Sequence, residues 1–141
     1  MKNRGVFTLF LALIFTVYFS SCRKENNDIN FSLVAKEHSI AQNLFDDVFK
    51  QVDNASKLQD DSCNGQKTGE GIFVDGCKTI TISSLDAVFP KQIKVDFGTQ
   101  NCMGNDGRNR RGILNFTITS WYRDSGCVIT VTPSNYYVND Y

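Results

Sequence analysis

Gln92-Ile93-Lys94-Val95-Asp96-Phe97 and Lys78-Thr79-Ile80-Thr81-Ile82-Ser83 are the two stretches whose reading decides the fold. In each, every second residue is apolar: Ile93, Val95 and Phe97 in one, Ile80 and Ile82 in the other. Lys94 and Asp96, or Thr79 and Thr81, stand between them. Successive side chains of a strand point to opposite faces, so this period of two specifies strands with one packed and one wet face. The connection carries Leu85, Phe89 and Pro90, and the two strands are expected to pair antiparallel. The period continues through residues 112–121, where Leu114, Phe116 and Ile118 share a face opposite Asn115, Thr117 and Thr119. Residues 127–132 follow the turn-like Arg123-Asp124-Ser125-Gly126, and residues 135–141 add a last strand, with one of Tyr136 and Tyr137 facing the core.

A one-sided sheet needs a cover, and residues 30–55 supply the helix pattern. At about 100° per residue, Leu33, Val34, Ile40, Ala41, Leu44, Phe45, Val48, Val52 and Ala55 fall in one arc. Lys36, Ser39, Gln42, Asn43, Asp46, Asp47, Lys50 and Asp53 fall on the other side. Asp46, Asp47 and Asp53 disfavour laying that stripe on an anionic membrane, so core packing is expected. The fold class is therefore α+β: an N-terminal amphipathic helix, residues 30–56, packed on a small antiparallel β-sheet or sandwich formed by residues 57–141, in one domain. Residues 57–71, KLQDDSCNGQKTGEG, read as a loop, with Asp60 and Asp61 as solvated carboxylates outside any EF-hand register.

Ahead of the helix, Lys2 and Arg4 precede an apolar run over residues 6–19 that is too short to span a bilayer, which takes roughly 20 residues. Residues 1–21 read as a secretory signal. Phe19-Ser20-Ser21-Cys22 resembles a bacterial lipobox, which makes Cys22 the lipidated first residue of the mature chain. Two or more acyl chains, each contributing about 0.8 kcal/mol per buried methylene, anchor a protein without a membrane span. Residues 22–29, with the polar Arg23-Lys24-Glu25-Asn26-Asn27-Asp28, form the tether. The expected partner is thus the membrane through a lipid anchor, and the expected place is the cell envelope, on the periplasmic or surface face of the outer membrane.

Cys77-Lys78-Thr79-Ile80-Thr81-Ile82, Phe89-Pro90-Lys91-Gln92-Ile93-Lys94-Val95-Asp96-Phe97-Gly98, Cys102, Asp106-Gly107-Arg108, Gly112 and Asn135-Tyr136-Tyr137-Val138-Asn139 together resemble a widespread group of uncharacterised Bacteroidota-type lipoproteins. The resemblance covers nearly the whole mature chain. It implies a secreted β-rich domain behind an N-terminal helix and brings no substrate, cofactor or catalytic residue with it. Lys24-Glu25 matches part of a surface-export signal of such lipoproteins. Relatives continue past the Asn-Tyr-Tyr-Val-Asn segment. Either this is a truncated member or its last sheet edge is open for pairing with another chain.

The charges balance at 15 basic and 15 acidic, and removing residues 1–21 leaves 13 against 15. That gives no electrostatic reason to expect nucleic acid. His38 is the single histidine and lies at the edge of the helix stripe, so neither a metal site nor a cofactor is expected. With Cys22 assigned to lipid, Cys63, Cys77, Cys102 and Cys127 remain, none in a C-x-x-C pair. Three connectivities are open to four cysteines. Pairing the two opening strands brings Cys77 to Cys102, and Cys63 is then expected to bond Cys127. The chemically suggestive loop is residues 101–112, where Arg108, Arg110 and Arg111 can act as an anion- or glycan-contacting tip, or as solubilising charges on an Asp106-Gly107 turn. Trp121, on the wet parity, can stack on a sugar. The expected function is a non-enzymatic envelope lipoprotein that binds a glycan, peptide or protein partner. The alternative is a glycan- or peptide-directed hydrolase or its accessory subunit, although Asp46 and Asp47 are adjacent and cannot flank one substrate.

Overall fold

The computed structural model describes residues 28–63 and 69–141; the signal segment, Cys22 and the tether as far as Asn27 lie outside the described residues. The chain divides into two units, residues 1–36 and 37–141, the boundary falling inside a helix. The described part of the first unit is the opening of that helix, where Phe31, Leu33 and Val34 are exposed. The second unit carries the sheet and every site described below.

Helix α1 (Asp28–Ser62) has 35 residues and extends past the expected end at residue 56, taking in the first part of the segment expected to be loop. Its inward side continues there through Leu58 and the fully buried Gln59. Of the two carboxylates expected to be solvated, Asp60 is used in the fold and Asp61 stays exposed. Asp60 accepts hydrogen bonds from the backbone N–H groups of Tyr122 (2.9 Å) and Arg123 (3.2 Å), and Asp61 pairs with the Arg123 side chain at 3.0 Å.

The strands are β1 (Gly71–Asp75), β2 (Lys78–Ile82), β3 (Lys91–Asp96), β4 (Cys102–Met103), β5 (Asn109–Ile118) and β6 (Ile129–Val138), joined in one antiparallel sheet. The opening pair forms as expected, with Ile80 opposite Val95 and Ile82 opposite Ile93. β1 and β2 close on the loop Gly76-Cys77, where Gly76 sits at φ 64°, the left-handed region a two-residue hairpin asks for at its first central position. β3 and β4 lie end to end along one side of β5, and β6 lies along its other side.

The two closing segments form a single strand, β6, interrupted by a bulge. Arg111 pairs with Tyr137 and Ile113 with Ser134, which leaves Asn135 and Tyr136 opposite Gly112. The bulge depends on Gly112: at φ 91° a Cβ there would stand 1.9 Å from the Asn135 carbonyl oxygen. The extra residue flips the parity of β6, so Ile129 and Val131 pack inward before it and Tyr136 after it. Tyr136 is the inward tyrosine and Tyr137 the outward one.

The core is formed by Val52 and Ala55 of the helix against Ile80, Ile82, Ile93, Val95, Phe97, Leu114, Phe116 and Ile118. The helix is rotated from the expected arc. Phe45, expected inward, is 75% exposed, and Asp47, expected on the polar side, is 0% exposed. The reason is a partner no helix pattern contains, the guanidinium of Arg110 on β5.

Cys77 and Cys102 are bonded, with Cα atoms 5.7 Å apart. The expected Cys63–Cys127 bond is not formed, and both are free thiols. Each thiol has its own contact: Cys63 accepts from Lys91 Nζ at 3.3 Å, and Cys127 donates to the Ser120 carbonyl at 3.7 Å. Among the described residues no helix is long and apolar enough to cross a membrane.

Candidate functional site

β5 keeps its alternation from Ile118 back through Leu114 to Arg110, so Arg110 points under the helix, where it is 2% exposed. A buried guanidinium requires anionic partners. Asp47 takes one edge of its fork, accepting from Nε at 2.9 Å and Nη2 at 2.5 Å. Asp106 takes the other, accepting from Nη1 at 2.9 Å and Nη2 at 2.7 Å. Asp47 also accepts from Tyr136 Oη (2.5 Å) and Arg108 Nη1 (3.2 Å), and Asp106 from Lys50 Nζ (3.0 Å). Gly104 permits the Asp106 side of this clamp, since a Cβ there would lie 2.6 Å from Arg110 Nη1.

The electrostatics follow from these contacts. Burial pushes the Asp47 carboxyl up, but the bonds from Arg110, Tyr136 and Arg108 prevail and hold it below the usual carboxylate range. The Arg110 bonds hold Asp106 far below that range. Burial, and then Asp47, push the Tyr136 phenol well above its ordinary value.

This clamp walls one end of a cavity of about 220 Å³ beside the Cys77–Cys102 bond. Lys50, Gln51 and Asn54 line it from the helix, Asp75, Gly76 and Lys78 from the first hairpin, and Met103 to Asp106 from the β4–β5 loop. Lys78 pairs with Asp75 at 3.0 Å. Gln51 differs from its neighbours: it is only 6% exposed, its side chain faces the cavity, and among the described residues its amide has no hydrogen-bond partner. Ser56 and Gln59 also hold unpaired polar atoms, but these are sealed within the helix–sheet interface.

The residues expected at a site are dispersed. Arg108 and Arg110 are committed to Asp47, while Arg111 points the other way, to Asp140 and the ring of Tyr137. Trp121 follows the far end of β5, half-buried, edge-on to Phe89 at 5.1 Å and 5.7 Å from the buried Lys91 Nζ. Gln51 escaped the sequence reading because a glutamine in a helix carries no periodic signal, and its four-residue spacing from Asp47 points inward only once Asp47 is seen to be buried. On the other flank of the helix, Phe45, Val48, Phe49, Val52, Ile129 and Val131 line a wider apolar groove of about 620 Å³.

Among the described residues, fold and cavity define a disulfide-bonded α+β protein with a helix packed on an antiparallel sheet. Comparison of this chain with protein-family models, with curated proteins and with solved structures finds no match.

Proposed function

We propose that this chain is a lipid-anchored cell-envelope protein of the Bacteroidota lipoprotein type, and that it binds a small polar ligand, without transforming it, in the cavity beside the disulfide. The observation that carries the reading is Gln51, a residue only 6% exposed that lines the cavity and whose side-chain amide has no hydrogen-bond partner among the described residues. Among the described residues the unpaired amide sealed from solvent is that of Gln59, whereas the Gln51 amide reaches the cavity space, where a ligand can meet it. The clamp supports a binding role over general-acid catalysis. Asp47 and Asp106 are held ionised below the usual range, and neither suits a general acid that must carry a proton near neutral pH. The signal segment, Cys22 and the polar tether support the anchor.

Two measurements test this. Cys22→Ser should move the protein from the membrane fraction to the soluble fraction; persistence in the membrane counts against the anchor. Hydrogen exchange of the whole mature protein, with and without a small-molecule and polysaccharide extract of the envelope, should slow at residues 50–54, 75–78 and 102–106. Conversion of an extract component by the protein, or protection confined to residues 129–133, would contradict the reading.

A further inference from the structure

We infer that the ligand class of this cavity is a neutral, multiply hydroxylated ring, a single sugar unit, an assignment that rests on the binding reading above. The charged groups in the wall are already neutralised in pairs: Lys50 with Asp106, Lys78 with Asp75, and Arg110 with Asp47 and Asp106. An anionic or zwitterionic ligand would have to break one of these pairs to place its own charge. Hydroxyl groups need not, because each ion-paired carboxylate keeps lone pairs and each ammonium keeps N–H donors beyond those in use. Gln51, only 6% exposed, supplies an unspent wall group that is neutral and two-sided. The Gln51 amide offers a carbonyl acceptor and an NH₂ donor in one plane, which complements two adjacent hydroxyls, one donating and one accepting. Asn54 repeats this chemistry one turn later on the exposed rim. Met103, 69% exposed, supplies apolar surface for the C–H face of a sugar. At about 220 Å³ the space is smaller than the roughly 300 Å³ at which drug-sized pockets begin, which suits one ring and not a chain.

The test is titration calorimetry of the whole mature protein with methyl glycosides of neutral hexoses and N-acetylhexosamines, with glycine and alanine, and with inorganic phosphate. At least one glycoside should bind, with a dissociation constant on the order of millimolar, as expected of a few neutral hydrogen bonds. Gln51→Met, which keeps the shape of the side chain and removes its amide, should weaken that binding about tenfold. Asn54→Ala, on the exposed rim, should weaken it less and guards against a folding defect in the first variant. Binding of an amino acid or phosphate that depends on Gln51, with no glycoside binding, overturns the sugar assignment and leaves the cavity reading standing. Glycoside binding that both variants leave unchanged also overturns the assignment. If exchange slows at residues 50–54 with the envelope extract and no glycoside binds, the sugar class alone has failed.

Discussion

Arg110 and Asp47 stand 63 positions apart in the chain and close a two-bonded fork, at 2.9 and 2.5 Å, in the seam between helix and sheet. The pair fixes which side of the helix faces the sheet. With Asp47 turned inward, Gln51 one turn later faces the cavity and Phe45 is left outside.

Removing one member of the fork leaves a buried charge without its counterpart. Asp47→Ala is expected to lower the unfolding free energy by about 3–5 kcal/mol, measured by urea titration. Arg108→Ala, where the Arg108 side chain is 40% exposed, should cost under about 1 kcal/mol. Equal losses from the two would mean that the fork does not locate the helix.

The acid limb of stability follows from the same residues. Asp47 and Asp106 have folded pKa values below their unfolded ones, so in that window the unfolded chain binds more protons and stability rises with pH. Their contribution is complete above the unfolded value of about 4 and is lost as pH falls below it, through the depressed folded values. Melting temperature is expected to hold steady from neutrality down to about pH 4 and then to fall, and Asp47→Asn should flatten the fall.

Gly112 and Gly98 separate backbone strain from collision. Both have left-handed φ, 91° and 77°, but only at Gly112 does a Cβ strike the backbone of β6. Gly98→Ala should cost about 1–2 kcal/mol from conformation alone. Gly112→Ala should cost more and disturb β6, which a loss of exchange protection over residues 134–138 would report.

Thiol labelling of the unfolded, unreduced chain checks the cysteines. Cys63 and Cys127 should react while Cys77 and Cys102 should not. In the folded protein Cys127 should react faster than the buried Cys63. Reduction of the Cys77–Cys102 bond, which spans 25 positions, should cost about 3.5 kcal/mol.

Much of the fold was legible because it rests on local period. The alternation at Ile80/Ile82, Ile93/Val95/Phe97 and Leu114/Phe116/Ile118 is in the sequence, and each of these residues packs on the core. Extending the same parity back one and two steps reaches Lys91 and Arg110, both buried, yet charge alone argues for solvent. What reverses that argument lies far off in the chain. For Arg110 it is Asp47. For Lys91 it is the carbonyls of Ser84 and Asp86, the Cys63 thiol and the rings of Phe89 and Trp121. The bulge was hidden for a similar reason, since Gly112 and Asn135 show their meaning only once β5 and β6 are in register. The cavity was the least legible feature, because it is defined by an amide that lacks a partner, which no spacing in the chain records.

The most direct test of the central claim is to follow the side-chain amide resonances of Gln51 in the whole mature protein, assigned by their loss in Gln51→Met, during titration with the neutral methyl glycosides. The account expects them to move saturably while the Gln59 amide, sealed in the helix–sheet seam, stays in place. A glycoside that binds while the Gln51 resonances do not move would contradict it.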